Sequence, residues 1–189
     1  MAILPIVEIP DPLLKQVSTP VESFDAALKA LVADMFETMY DAPGIGLAAV
    51  QVGVPKRLLV IDLQPEDEDA EPEVCHHHGG EEHTHQPLKI EPRVFVNPEL
   101  SEPSEEVTIY NEGCLSVPEI YAEVERPSSV RARWQDLDGN WHDERIDGFL
   151  ATVLQHEMDH LEGIVFIDRI SRLKRQMAIK KLEKQRKVA

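Results

Sequence analysis

Helical periodicity near both ends of the chain, short β-branched runs between them, and a turn signal between two of those runs predict an α+β protein. A first helix is expected after Ser23 or Asp25, either of which can cap it. Leu28, Leu31, Met35 and Met39 follow at spacings of three and four, one buried face of that helix. Ala42-Pro43-Gly44 ends it and opens a Gly-rich loop. Arg57 to Leu63 reads as a buried strand and Val94 to Pro98 as another. A strand pair is expected over Ile120–Glu125 and Val130–Trp134, with Asp138-Gly139-Asn140 as the turn before Trp141. A second helix should run from Asp147 to about Leu161, with Gly163 placed to stop it. A third, mostly exposed helix keeps Leu173, Met177 and Leu182 as its apolar positions.

The 189 residues fit one domain, divided here into a catalytic body at 1–168 and a basic C-terminal helix at 169–189. Two cysteines, Cys75 and Cys114, do not make a disulfide framework. No run approaches the roughly 18–20 apolar residues of a membrane span, and the first residues lack the form of a signal peptide. A cytoplasmic protein with no membrane partner is the expectation.

Charge is unevenly distributed. The chain carries −16, yet residues 169–189 hold nine Lys or Arg and one acid, a net +8 that leaves −24 on the rest. The body should repel DNA, whereas the tail suits a local RNA contact. Residues 65–92 hold nine acids and the cluster Cys75-His76-His77-His78 with His83 and His85. They show no hydrophobic period and read as a long, mobile, acidic and His-rich insertion loop.

The chemistry concentrates in Gln155-His156-Glu157-Met158-Asp159-His160. On a helix, residues four apart lie on one face about 5–6 Å apart at Cβ. His156 and His160 can therefore share one metal ion, and Glu157 can reach a water there without being a ligand, the logic of His-Glu-x-x-His hydrolases. A catalytic site usually has a third protein ligand. Cys114, Cys75, a loop histidine and an acid are all candidates. Cys114 follows Gly113, which allows close backbone approach; a small core thiol is the competing reading. In Gly44-Ile45-Gly46-Leu47-Ala48-Ala49-Val50-Gln51, the glycines could bring backbone against a peptide with Gln51 as an amide donor. Composition alone favours a tight turn with a small-residue packing surface.

Three segments taken together are similar to the peptide deformylase family: Gly-x-Gly-x-Ala-Ala-x-Gln at 44–51, Glu-Gly-Cys-x-Ser at 112–116 and His-Glu-x-Asp-His at 156–160. Ile9-Pro10-Asp11-Pro12-Leu13 is similar to the family's opening. The resemblance implies antiparallel β-sheets wrapped around a central metal-binding helix, with helices at both ends. It implies hydrolysis of the formyl group of N-formylmethionyl nascent peptides, with release of formate. Cys114, His156 and His160 would hold one divalent ion, Fe²⁺ by family habit, with Zn²⁺, Ni²⁺ or Co²⁺ able to substitute. Glu157 would be the acid and base, and the Gln51 amide and Leu115 backbone N–H the oxyanion donors. Gly44, Ile45, Gly46, Glu112, Gly113, Phe149, Thr152 and Val153 are expected to meet the substrate. Arg126 could pair with Glu112 and orient its loop, or be a solvated surface arginine. The basic tail fits a ribosome contact. A zincin-type peptidase and a metal-storage module built on the Cys75–His85 cluster are the competing readings.

Overall fold

A computed structural model describes residues 2–66, 73–76, 82–85 and 87–186. Helix α1 spans Ala26–Asp41, and the Asp25 carboxylate accepts from the N–H groups of Ala27 and Leu28. This satisfies two of the donors that every helix start leaves open. Its buried face is Leu28, Val32, Met35, Thr38 and Met39. Leu31, expected on that face, is half-buried because Val32 takes the central position.

Five antiparallel strands form the main sheet. They are β1 (Gly46–Ala48), β2 (Leu58–Ile61), β5 (Arg93–Ser101), β8 (Ser129–Gln135) and β9 (Trp141–Asp147), in that spatial order. All four residues of β2 are buried. Leu58 and Val60 face α1 with Met35 and Met39. Leu59 and Ile61 join the opposite core with Phe95, Ala132 and Trp134. A strand covered on both faces reads as a continuous apolar run, which is why it stood out in the sequence.

The second core is completed by helix α2, Gly148–Leu161, through Ala151, Leu154, Met158 and Leu161. Every residue of α2 from Ala151 to Leu161 is buried. Its other side meets a two-stranded sheet of β6 (Val107–Cys114) and β7 (Val117–Pro127). The metal-motif helix therefore lies between two antiparallel sheets. Gly163 stops it at φ 70, where a Cβ would stand 2.6 Å from the Lys15 carbonyl oxygen.

Four expectations need correction. Residues 44–51 are not a loop throughout: Gly46–Ala48 pairs with β2, and Ala49–Val52 forms a 3-10 turn. The segments Ile120–Glu125 and Val130–Trp134 are strands but do not pair with each other. The first pairs with β6, the second with β5 and β9. Of their true partners, Trp141–Asp147 is largely exposed and polar, while Val107–Cys114 turns the apolar Val107 and Ile109 outward.

The insertion is not wholly loop. Strands β3 (Glu73–His76) and β4 (Glu82–His85) pair antiparallel, with Val74 opposite Thr84 and Cys75 opposite His83. The β-branched pair and the intervening Gly79-Gly80 were available sequence signals for a hairpin. His77 and His78 lie outside the described residues. Finally, helix α3 (Arg172–Arg186) turns Leu173 and Met177 to solvent and buries Ala178 and Leu182. These two join Val117, Ile120, Val124 and Phe166 in a third apolar cluster.

Candidate metal centre and substrate cavity

The end of β6 and one face of α2 bring Cys114, His156 and His160 together. One ligand atom from each lies within 4.8 Å of the others. The Cys114 Sγ is 3.2 Å from His160 Nε2. His156 is turned by its far nitrogen: Nδ1 lies 2.8 Å from Glu112 Oε2, which leaves Nε2 for the cluster. A carboxylate on the outer nitrogen of a metal-ligating histidine fixes its tautomer and ring angle.

Glu112 is itself fixed. Arg126, 3% exposed, donates from Nε to Oε1 at 2.6 Å and from Nη2 to Oε2 at 2.9 Å. Burial pushes the Glu112 carboxyl up, but the bonds from Arg126 and His156 outweigh it and hold it down at about 2. Glu112 lines the cavity wall, yet both oxygens are engaged, Oε1 by Arg126 and Oε2 by Arg126 and His156. Arg126 is thus a buried partner and not a solvated side chain.

Burial drives His160 strongly towards the neutral form that a metal ligand needs. It also pushes His156 down, but Cys114 and Glu112 together outweigh burial and favour positive charge beside them. A soft thiolate and two imidazoles on buried, braced elements suit a divalent transition ion. On this geometry and donor set the residues present fit such an ion.

Glu157 is buried beside the cluster, and its Oε2 has no hydrogen-bond partner among the described residues. Burial raises its carboxyl to about 7. Room for it comes from Gly46, where a Cβ would stand 2.5 Å from Glu157 Oε1. Gln51 is also fully inside. Its Oε1 accepts from the Ala48 N–H at 2.8 Å, so its amide nitrogen must face the cluster. There Nε2 donates to Ser116 Oγ at 3.0 Å and to Cys114 Sγ at 3.5 Å. The 3-10 turn after β1 is what carries Gln51 to this position.

A cavity of about 480 Å³ opens beside these groups. Gly44, Ile45, Gly46, Gln51, Glu112, Gly113, Cys114, Leu115, Phe149, Thr152, Val153, His156 and Glu157 all line it. His160 does not; it is 1% exposed and meets the cluster from behind. Gly44 faces Leu115, whose Cδ1 would be 2.9 Å from an added Cβ. Thr152 and Val153 are buried, and Phe149 is exposed at the rim against Tyr110.

Sequence reasoning missed four contributors. Tyr110 and Tyr121 line the cavity from β6 and β7, and the alternation of those strands was their only signal. Ser116 receives the Gln51 amide and was visible only as a motif position. Asp159, likewise a motif position, accepts from Arg126 Nη1 at 2.8 Å.

Two antiparallel sheets around a His-Glu-x-x-His helix, with a cysteine on the neighbouring strand, define a class of metallohydrolase distinct from zincins, which use His or Glu as third ligand. The polypeptide deformylase family model matches residues 3–176. The chain is 71% identical to a peptide deformylase of Novosphingobium aromaticivorans over 189 residues, all of both chains. It is 65% identical to one of Rhizorhabdus wittichii, covering 99% of this chain and 97% of that one. Among solved structures, the peptide deformylase of Legionella pneumophila matches with TM-score 0.80 at 40% identity, over 99% of this chain and 97% of that one. The Ehrlichia chaffeensis enzyme in complex with actinonin matches with TM-score 0.81 at 40% identity, over 98% of each chain. The chain belongs to the polypeptide deformylase family.

Proposed function

We infer that this protein is a peptide deformylase, which hydrolyses the N-formyl group of nascent polypeptides and releases formate. The observation that carries the site assignment is the convergence of Cys114, His156 and His160 next to an uncommitted Glu157 carboxylate. Cys114, His156 and His160 would hold one divalent ion, which would polarise the formyl oxygen and acidify water.

The chain's own residues account for the remaining steps. Glu157, its Oε2 uncommitted, takes the proton of the attacking water. Oxygen adds to the formyl carbon, and negative charge develops on the formyl oxygen. The Gln51 Nε2–H, held by Ala48 and Ser116, is preorganised to donate to that oxygen, with the Leu115 N–H as a second donor. Glu157 returns its proton to the leaving nitrogen as the C–N bond breaks. Thr152, Val153 and Ile45 form the wall for the methionine side chain. Gly44, Gly46 and Gly113 line the same cavity and make room for Leu115, Glu157 and Tyr121 at its wall.

Formyl-Met-Ala-Ser should yield formate and Met-Ala-Ser, and the unformylated peptide should be untouched. Cleavage between residues without formate would overturn the reading. Fe²⁺ is the proposed native ion, with Zn²⁺, Ni²⁺ or Co²⁺ as substitutes, and metal analysis after anaerobic purification tests it.

The working location is the cytoplasm; no helix among the described residues is long and apolar enough to cross a membrane. Residues 1–168 would form the catalytic body. The 169–189 tail is a candidate ribosome contact through the exposed Arg172, Lys174, Lys180 and Lys184. Reversing these four charges should weaken ribosome association at physiological salt; unchanged association would refute the contact.

A further inference from the structure

The ion pairs behind the metal cluster continue past Glu112 to the protein surface. Arg126 bridges Glu112 on β6 and Asp159 on α2, and Asp159 in turn takes a two-pronged contact from Arg169 through Nε and Nη2. Charges alternate along the chain from His156: Glu112, Arg126, Asp159, Arg169. The first three are nearly dry, whereas the Arg169 side chain is 43% exposed.

On this side α2 is not closely packed throughout. A cavity of about 210 Å³ lies there, lined by Arg126, Gln155, Met158, Asp159 and Arg169 among others. Space beside a helix gives it freedom that close packing would remove. Arg169 spans that space from a braced base. It follows the 3-10 turn Phe166–Asp168 and donates its N–H to the Phe166 carbonyl. Asp168 is paired with Lys15 and Arg175, and Phe166 stacks on His156 with ring centroids 6.0 Å apart.

We propose that Arg169 is a positioning residue for the metal centre: from the surface it fixes Asp159, and through Asp159 the placement of the helix that carries His156 and His160. The proposal rests on the metal-site reading above. It assigns a role in the reaction to a residue that touches neither metal nor substrate. Groups hydrogen-bonded directly to metal ligands are worth about 10–100-fold in metal affinity, so a residue further out should be worth about 3–10-fold.

The test follows metal transfer from the loaded full-length protein to excess chelator. Arg169→Met keeps the aliphatic stem and should lose metal about 3–10-fold faster, with kcat lowered by a similar factor and KM unchanged. Arg169→Lys, which keeps charge but not the two-pronged geometry, should fall between; it serves alone if the methionine variant does not fold. Arg57→Met is the control, because it breaks a different ion pair at the residue that follows the same helix, Arg57–Glu162 at 2.6 Å. The control should lower Tm without speeding metal loss. Metal loss at the wild-type rate in folded Arg169 variants, or equal acceleration in the control at equal loss of Tm, would overturn the proposal. If the wild type bound metal but released no formate, the deformylase reading would fall and the metal-transfer comparison would still judge Arg169.

Discussion

At the residue scale, the site is a set of side chains whose freedom has been removed one bond at a time. Gln51 cannot flip, because Ala48 holds its oxygen. His156 cannot rotate, because Glu112 holds its far nitrogen. Glu157 keeps a carboxylate oxygen unengaged among the described residues, as a proton carrier requires. Glu157→Gln should lower kcat by about 10²–10⁴-fold with metal content unchanged, measured by formate release and metal analysis. Gln51→Leu should cost about 10²–10³-fold in kcat with little change in KM. Arg126→Met leaves the buried Glu112 carboxylate with His156 as its remaining partner and Asp159 with Arg169, and should cost about 3–5 kcal/mol in urea unfolding.

The identities of this set were legible as motif spacing: i and i+4 on a helix, a cysteine after glycine, a glutamine after small residues. The bracing was less legible, because Glu112, Arg126, Asp159 and Arg169 stand on different elements and meet only in three dimensions. Of those links, only Glu112–Arg126 was anticipated.

At the element scale, period and burial decided what the sequence revealed. Strand β2, buried on both faces, and α1, capped by Asp25, announced themselves. Trp141–Asp147 is mostly polar and exposed, and Val107–Cys114 puts Val107 and Ile109 on its exposed side, so neither marked a buried face and the pairing partners of β7 and β8 were misjudged. Amphipathic α3 showed three apolar positions, but only tertiary packing selects Leu182 over Leu173 and Met177.

The base of the insertion is clasped by Asp62, which is fully buried. It takes Tyr40 Oη–H at 2.6 Å and the N–H groups of Gln64 and Glu91 at 3.1 Å each. Tyr40→Phe should cost about 1–3 kcal/mol by leaving one Asp62 oxygen short of a donor, read in urea unfolding.

The turn before α3 carries a pH signature. Burial pushes the Asp168 carboxyl up, but the Lys15 bond, the Val165 N–H and the nearby cations outweigh it and hold it below its ordinary value. A depressed carboxyl stabilises the fold above the ordinary pKa and loses that contribution as pH falls through the folded value. The stability gap between wild type and Asp168→Asn should therefore be full at neutral pH and shrink as the pH drops below 3.8. Because the pair is partly exposed, the gap should stay under about 1 kcal/mol.

At the scale of the whole molecule, two cores back the five-stranded sheet, one under each helix, and the second core also holds the metal-motif helix in place. Chemistry and stability are thus coupled through α2, which serves both as a core element and as the carrier of His156, Glu157 and His160. The charge separation between the acidic body and the basic tail was plain in the sequence. The packing of α3 against β7 was not, and it ties the tail to the sheet that ends in Cys114.

The central claim is that one ion on Cys114, His156 and His160 makes this chain a deformylase. The most direct test strips the protein with chelator, restores metal in steps, and measures formate released from formyl-Met-Ala-Ser against ions bound per chain. Activity should vanish on stripping, return in proportion to bound metal, and stop rising at one ion per chain, with Cys114→Ser showing no return. Formate release that survives stripping, or that climbs past one ion per chain, would contradict the account.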